Sequence, residues 1–462
     1  MRTVRVAAVA LLAAGWPLAG QANKLIDIYE LAKREDPTFA AAEARYRADR
    51  EAWPQARAAI LPSVNATAAY SKIDREVEQT PFSGSGGGGA GPSPPFTDDF
   101  NSKSYGVEVR QPLFNWGIPA TLRQGRDRLE IAELELQQAR QDLQGRVTRA
   151  YVDFLKAQAS LRLTREEREA IAADLEQTEG RYEVGEISVT ALQEARAARD
   201  LSESRIIAAE AALDEVRERL RELTTRWYET LPDVPLGYEP QMPEPADVDV
   251  WVDRTLRFNL GLTATERQTE VAREEIERKR AAYIPDVDLV AGYQDTDDTD
   301  FVFGGASNDT RVGLEATWAL FDGGRNFSEA RESRARYAAA EAELERTRRE
   351  VTAATRNAYR GVVTQLRQVQ ALDKAVASAR TALRSIRSEF ELGERNQTDV
   401  IDARRNLYSA LIDRARAKYD YASAVTRLRL ASGVLVPDDL ARIDALLLDP
   451  DVPAEPLIPE SE

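Results

Sequence analysis

Apolar residues return at every seventh position along four stretches of the chain. Leu122, Leu129, Leu136 and Leu143 form one seam, and Tyr337, Leu344 and Val351 form a second. A third runs through Leu192, Ile206, Leu213 and Leu220, with Arg199 at its one polar position. A fourth runs through Val400, Leu407, Tyr421 and Leu428, with Arg414 out of pattern. A strict seven-residue repeat makes helices pack along one another and supercoil. No proline follows Pro119 before Gly180, so residues 115–180 predict one helix, roughly 100 Å long at ~1.5 Å per residue. A compact core has no use for such length. The pattern favours a coiled-coil or tubular element over a compact bundle.

Period-two alternation marks a different kind of element. In SYGVEVRQPL, residues 104–113, Tyr105, Val107, Val109 and Leu113 alternate with Ser104, Gly106, Glu108 and Arg110. In TRVGLEATWAL, residues 310–320, Val312, Leu314, Ala316, Trp318 and Leu320 alternate with Arg311, Gly313, Glu315 and Thr317. Two partner segments, PSVNATAAYS from Pro62 and PDVDLVAGYQ from Pro285, alternate more weakly. Each is about ten residues, the length a tilted strand needs to cross a bilayer. A half-buried strand of a soluble protein alternates in the same way.

These elements occur twice in the same order. RYEVGEISVTALQEARAARD, residues 181–200, returns as EFELGERNQTDVIDARRNLY, residues 389–408, so that Gly185 matches Gly393. Residues 36–70 parallel 259–293, and LFNWG at Leu113 parallels LFDGG at Leu320. The chain reads as a duplication of helix, strand, loop, strand, very long helix, hairpin tip and helix. The first repeat spans 23–228 and the second 251–433. A proline-rich linker, 229–250, separates them, since its prolines do not sustain a helix. An acidic, proline-rich tail, 434–462, follows, with its last residues expected to be disordered. The glycine-rich stretch 78–99 and the acidic stretch 295–310 are expected to be loops.

Composition then removes classes of chemistry. The chain has 462 residues, 62 basic and 78 acidic, with a net charge of −16 and neither Cys nor His. The charge argues against a nucleic-acid partner. The missing residues exclude disulfides, thiolate catalysis, zinc fingers and Ser-His-Asp triads. The glycine run is not followed by Gly-Lys-Ser/Thr, so it is no phosphate loop. Counted from Asp295, the acidic stretch has Asp300 and Ala306 where a calcium loop needs Gly and Glu. Residues 1–22 read as a secretory signal peptide: Arg2 and Arg5, an apolar run, and small residues ending at Ala22. No other apolar run is long enough for a membrane helix, so any crossing belongs to strands.

Four strands cannot close a barrel, and open sheet edges are not tolerated in lipid. A chain of this kind that spans a membrane must borrow strands from copies of itself. Three copies supply twelve, within the range of known outer-membrane barrels. The two helical hairpins of each chain would then surround the same axis, which answers why the hairpin is built twice.

At this point the residues resemble a known family. The stretch from IDIYELAKREDPTF to TRLRLASG, the paired tips and the post-strand LF turns are similar to the TolC family of outer-membrane channels of efflux and type I secretion. The resemblance implies a mainly α protein with membrane β: a homotrimer whose twelve-stranded barrel continues into a periplasmic α-helical barrel. It implies an outer-membrane location in a Gram-negative bacterium, with no enzymatic activity and no cofactor. It implies partners: a periplasmic adaptor and an inner-membrane pump of ABC, RND or MFS type. Asp399 and Asp402 match the family's carboxylate ring at the periplasmic aperture, and Arg395 and Thr190 match its polar tip links. Ala191 and Phe390 replace an acid and a tyrosine of that set, so fewer polar links are expected. Glu194 adds a first-repeat carboxylate. Val184, Gly185, Leu392 and Gly393 match the adaptor-docking tips, while helix capping by Gly accounts for the glycines equally well. Glu108, Arg110 and Glu315 are expected to face the barrel lumen. A periplasmic coiled-coil spacer that never enters the membrane would carry the same heptads.

Overall fold

The computed structural model describes residues 24–77, 96–232, 238–298 and 305–441. The expected signal peptide, most of the glycine-rich stretch, the centre of the linker, the tip of the acidic stretch and most of the tail lie outside them. In chain order the elements are α1 (Leu25–Glu35), α2 (Pro37–Asp49), α3 (Ala52–Ala58), β1 (Ser63–Val77), β2 (Phe96–Phe114), α4 (Ile118–Glu183) and α5 (Val189–Thr224). Then come α6 (Val248–Phe258), α7 (Leu260–Ala281), β3 (Asp286–Asp297), β4 (Ala306–Thr317), α8 (Arg325–Glu391) and α9 (Gln397–Ala431). The internal repeat is plain in this order: α1 to α5 and α6 to α9 carry the same pattern. The long helices α4 and α8 have 66 and 67 residues.

One difference between the repeats has a local cause. Residues 37–58 break into α2 and α3, whereas their counterpart α7 runs 22 residues without interruption. Pro54 lacks an amide hydrogen and its ring excludes the carbonyl of residue 50 from the helical ladder. The second repeat has Glu277 at that place.

The chain falls into two compact units. One comprises residues 42–138 and 260–350 and holds the sheet. The strands pair antiparallel in the order β1-β2-β3-β4. The central β2–β3 pairing joins the two repeats, with Val109 opposite Ala291 and Glu108 opposite Gly292. Two expectations are corrected here. The strands are longer than ten residues, with 15 in β1 and 19 in β2, because ladder hydrogen bonds continue into sequence with no apolar alternation. Phe96 to Asp99, Asp295 to Asp297 and Ala306 to Thr310 are therefore strand rather than loop. In the other direction, β4 ends at Thr317, so Trp318 and Leu320 lie in the turn that leads to α8. There Gly323 and Gly324, at φ 70° and 86°, make a left-handed turn.

The other unit comprises residues up to 41, 139–259 and 351 onward. Its seams follow the heptads. Leu192, Ile206, Leu213 and Leu220 of α5 and Val400, Leu407, Tyr421 and Leu428 of α9 are all buried. Arg414, the exception in the α9 seam, is buried too, 3.8 Å from the Asp373 carboxylate. Trp251 of α6 packs with Ala358, Val362, Leu366, Tyr421, Ala424 and Leu428. The segment between α5 and α6 is tied to the helices through polar contacts. Tyr238 donates to the Lys418 carbonyl, Tyr421 to that of Gln241, and Gln158 to that of Leu231.

Asp36 ends α1 and starts α2. Pro37 follows it at the first helical position, where no amide hydrogen is needed. Its carboxylate, 3% exposed, accepts from the Phe39 amide at 2.9 Å and from both Arg146 terminal nitrogens, at 3.1 and 2.6 Å. Burial alone would raise its pKa; Arg146 and the Phe39 amide outweigh burial and hold it below the ordinary carboxylate range. A depressed folded pKa supplies stability above the unfolded value, and that stability is lost as pH falls through the folded one. Asp36→Asn is therefore expected to cost about 2 kcal/mol at neutral pH, from a weakened cap and a lost charged hydrogen bond. The gap to the wild type should close below about pH 4 in chemical denaturation of the detergent-extracted protein.

Candidate functional site

Two candidate regions emerge from the residues. The first is the pair of hairpin tips. Each long helix ends in the same hydrogen-bonded turn. The Gly185 amide donates to the Tyr182 carbonyl and the Glu186 amide to that of Arg181; Gly393 and Glu394 donate to Phe390 and Glu389 in the same way. The double bond pattern needs a left-handed residue, and Gly185 and Gly393 supply it at φ 78° and 80°. Ser188 then caps α5, accepting from the Ala191 amide at 3.3 Å. Asn396 caps α9 in a reciprocal box with Asp399. Val184 and Leu392 project from the tips, 72% and 74% exposed.

The predicted aperture residues all lie at these tips. Arg395 bonds the Glu389 carboxylate at 2.9 Å and stands 3.9 Å from Asp399. Asp399 closes the capping box, accepting from the Asn396 amide at 3.3 Å. Asp402 is exposed and pairs with Arg405 on its own helix at 3.3 Å. Glu194 of α5 accepts a hydrogen bond from Thr398 of α9, and Thr190 is exposed at the start of α5. Each of the two aspartates thus has an arginine nearby. Phe390, which stands where the resembled tip set has a tyrosine, carries the Arg181 guanidinium 4.8 Å above its ring.

The second region is the sheet. One face carries Arg110, which lies 3.1 Å from Asp288, 3.3 Å from Glu315 and 3.6 Å from Glu108; Arg311 also reaches Glu108 at 3.5 Å. All three predicted lumen residues therefore share one charged network spanning β2, β3 and β4. The opposite face carries Val64, Tyr70, Tyr105, Val107, Tyr293, Val312 and Leu314, every one exposed. Phe114, Trp116, Tyr283, Trp318 and Phe321 are exposed near the strand ends that join the helices. A contiguous exposed apolar face is the mark of a lipid or protein contact.

The family described as outer membrane efflux protein matches residues 28–226 and 251–434. The chain belongs to that family. It is 29% identical over 428 residues to outer membrane protein TolC of Vibrio cholerae, covering 92% of this chain and 94% of the relative. It is 27% identical to the alkaline protease secretion protein AprF of Pseudomonas aeruginosa, covering 93% and 88%. Among solved structures, the transmembrane channel CusC superposes with TM-score 0.74 at 18% identity, over 89% of this chain and 92% of that one. The outer membrane protein VceC of Vibrio cholerae follows with TM-score 0.71 at 18% identity, over 88% and 96%. The protein is an outer-membrane exit duct, and its sheet is the membrane element. No helix among the described residues is long and apolar enough to cross a membrane, and no cluster of acidic side chains among them could hold a metal ion.

The duct also contains charged groups that sequence reasoning missed. Arg404 of α9 and Asp174 of α4 are both buried and meet at 2.7 Å, with Arg387 of α8 3.8 Å from the same oxygen. Asp174 Oδ2 accepts no hydrogen bond among the described residues. Burial pushes the Asp174 carboxyl up against the pull of the two arginines. Glu167, 3% exposed at its side chain, is likewise pushed up by burial while Arg205 bonds it at 2.7 Å. The sequence carried little signal of the pair: Arg404 stands one helical turn from the seam positions Val400 and Leu407, and nothing there pairs residues 230 positions apart.

Arg404→Leu is expected to destabilise the detergent-extracted protein by about 3–5 kcal/mol, because a buried carboxylate loses its main partner. The double change Asp174→Leu with Arg404→Leu should recover much of that loss. Thermal unfolding of the two variants side by side checks both.

Proposed function

We propose that the duct is passive and trimeric, taking cargo from an inner-membrane pump through a periplasmic adaptor and releasing it outside. The observation that carries this reading is the four-stranded sheet, exposed on its apolar face and charged on the other, with β1 and β4 at its two edges. Open edges have no place in hydrocarbon, so three copies join β1 of one to β4 of the next in a barrel of twelve strands. The apolar face then meets lipid, and Phe114, Trp116, Trp318 and Phe321 sit at the interface level. Glu108, Arg110 and Glu315 line the water-filled interior.

The hairpin tips form the periplasmic end. Arg395, Asp399, Asp402, Thr190 and Glu194 surround the aperture, and their carboxylates around one axis attract cations. No residue pattern for nucleotide binding or catalysis is present in the sequence, so the driving energy comes from the pump. Val184 and Leu392 offer the adaptor exposed apolar contacts beside the glycine turns. A periplasmic spacer outside the membrane would leave the apolar sheet face without a purpose.

Unboiled membrane extract should run as a heat-labile trimer and conduct cations in planar bilayers. A stable monomer without conductance would refute the reading. Arg395→Ala combined with Asp399→Ala should raise single-channel conductance, since it removes the links Arg395 makes to Glu389 and Asp399 at the tip.

At Gly393 an added Cβ meets nothing within 4 Å, so only the left-handed backbone resists substitution. Gly393→Val should leave the trimer intact and abolish export, while Gly393→Asn, which tolerates that backbone, should retain it. Normal export by the valine variant would remove the docking role.

A further inference from the structure

We infer that the middle of the helical hairpins is closed between copies by two complementary faces, an acidic stripe on α5 of one copy and a basic stripe on α8 of the next, with Ile207 seated on Ala371 between them. The inference rests on the trimeric reading above, and none of its residues belongs to the tips. α4 and α9 enter two buried clusters of the hairpins, through Leu163 and Ile171 and through Leu407 and Ile401. α5 enters one of these, through Ala195 and Ala198, and α8 the other, through Val376. α5 and α8 are therefore the flanking helices, each with one face packed on the chain and one left bare. On α8, Arg360, Arg367 and Lys374 recur every seven residues, each two positions before a buried valine, Val362, Val369 or Val376. Two positions turn ~200° round a helix, so the three cations point away from the chain's own core. All three are exposed, and none has an ion pair or hydrogen bond among the described residues. On α5, Asp200, Ile207 and Asp214 recur at the same spacing and are exposed as well. Ile207 is 64% exposed, although α9 leaves no large apolar side chain bare. The two aspartates pair only with arginines of their own helix, Arg199 at 3.4 Å and Arg217 at 2.7 Å, exposed contacts of little strength.

The register of the two stripes follows from the turn glycines. Within the chain the two hairpins stand level: Asp174 and Arg404, which meet, each lie eleven residues from Gly185 and Gly393. Copies around one axis share that level. α5 runs away from its glycine and α8 toward its own, so the two helices lie antiparallel. Asp200, Ile207 and Asp214 stand 15, 22 and 29 residues from Gly185. Lys374, Ala371, Arg367 and Arg360 stand 19, 22, 26 and 33 residues from Gly393. Ile207 is thus level with Ala371, whose small side chain leaves room for it, and Lys374 and Arg367 bracket the pair. Asp200 is four residues from the level of Lys374, and Asp214 lies between those of Arg367 and Arg360. Offsets of ~6 Å or less along the axis are within reach of these long side chains. A ring of identical subunits needs two different faces that fit each other. Acid on one flank and base on the other meet that need, while two α8 faces would set cation against cation.

The chain has no cysteine, so engineered thiols report without background. Ile207→Cys with Ala371→Cys, treated in membranes with a short bismaleimide, should give covalent dimers and trimers on a denaturing gel. If the pair stays monomeric on that gel while the unboiled sample runs as a trimer, the proposed contact is wrong. If the unboiled sample of the unsubstituted protein is itself monomeric, the trimeric reading fails, and the contact falls with it. Arg360→Glu, Arg367→Glu and Lys374→Glu together should lower the temperature at which the unboiled trimer band is lost. Adding Asp200→Lys and Asp214→Lys should raise it again, because the swapped charges attract. A combined variant no more heat-resistant than the triple one would overturn the pairing of the stripes.

Discussion

A four-stranded sheet with two open edges cannot be stable in hydrocarbon, and the rest of this protein follows from that constraint. Each unpaired backbone group in lipid costs several kcal/mol, so the edges of β1 and β4 demand partners. The side chains agree with the backbone. Val64, Tyr105, Val312 and Leu314 are exposed on one face, while Arg110 gathers Glu108, Asp288 and Glu315 on the other. Such a sheet is inside out for a soluble protein and correctly oriented for a barrel wall.

The duplication gives the helical part its economy. Two hairpins per chain repeat the same capped turn, with a left-handed glycine ending one helix and a side-chain oxygen starting the next. The repeats have nonetheless diverged in what they bury. The seam within the chain holds Ile401, Leu407 and Leu411 in apolar clusters, and beside them an ion pair between α4 and α9. Polar contacts hold the outermost turn instead. Apolar seams suit permanent packing, whereas exposed hydrogen bonds and ion pairs, each worth little in water, hold the tips less firmly.

Much of this was legible from the order of residues. The heptads marked the buried positions of α5 and α9, the alternation assigned the faces of β2 and β4, and the matching glycines located both tips. Strand length was not legible, because a ladder extends through main-chain bonds whose partners lie on another segment. The break between α2 and α3 could have been read from Pro54. The Arg181–Phe390 contact and the Asp174–Arg404 pair could not, since each joins separate helices.

Sequence alone determined the repeat, the helix and strand periods, the glycine turns and the absence of thiol and imidazole chemistry, because all of these are properties of neighbouring residues. Only the tertiary structure decided which polar groups meet: Asp174 with Arg404, Asp36 with Arg146, Glu194 with Thr398. Ion pairs and hydrogen bonds depend on distances of a few ångströms between distant parts of the chain, and periodicity carries no information about those distances.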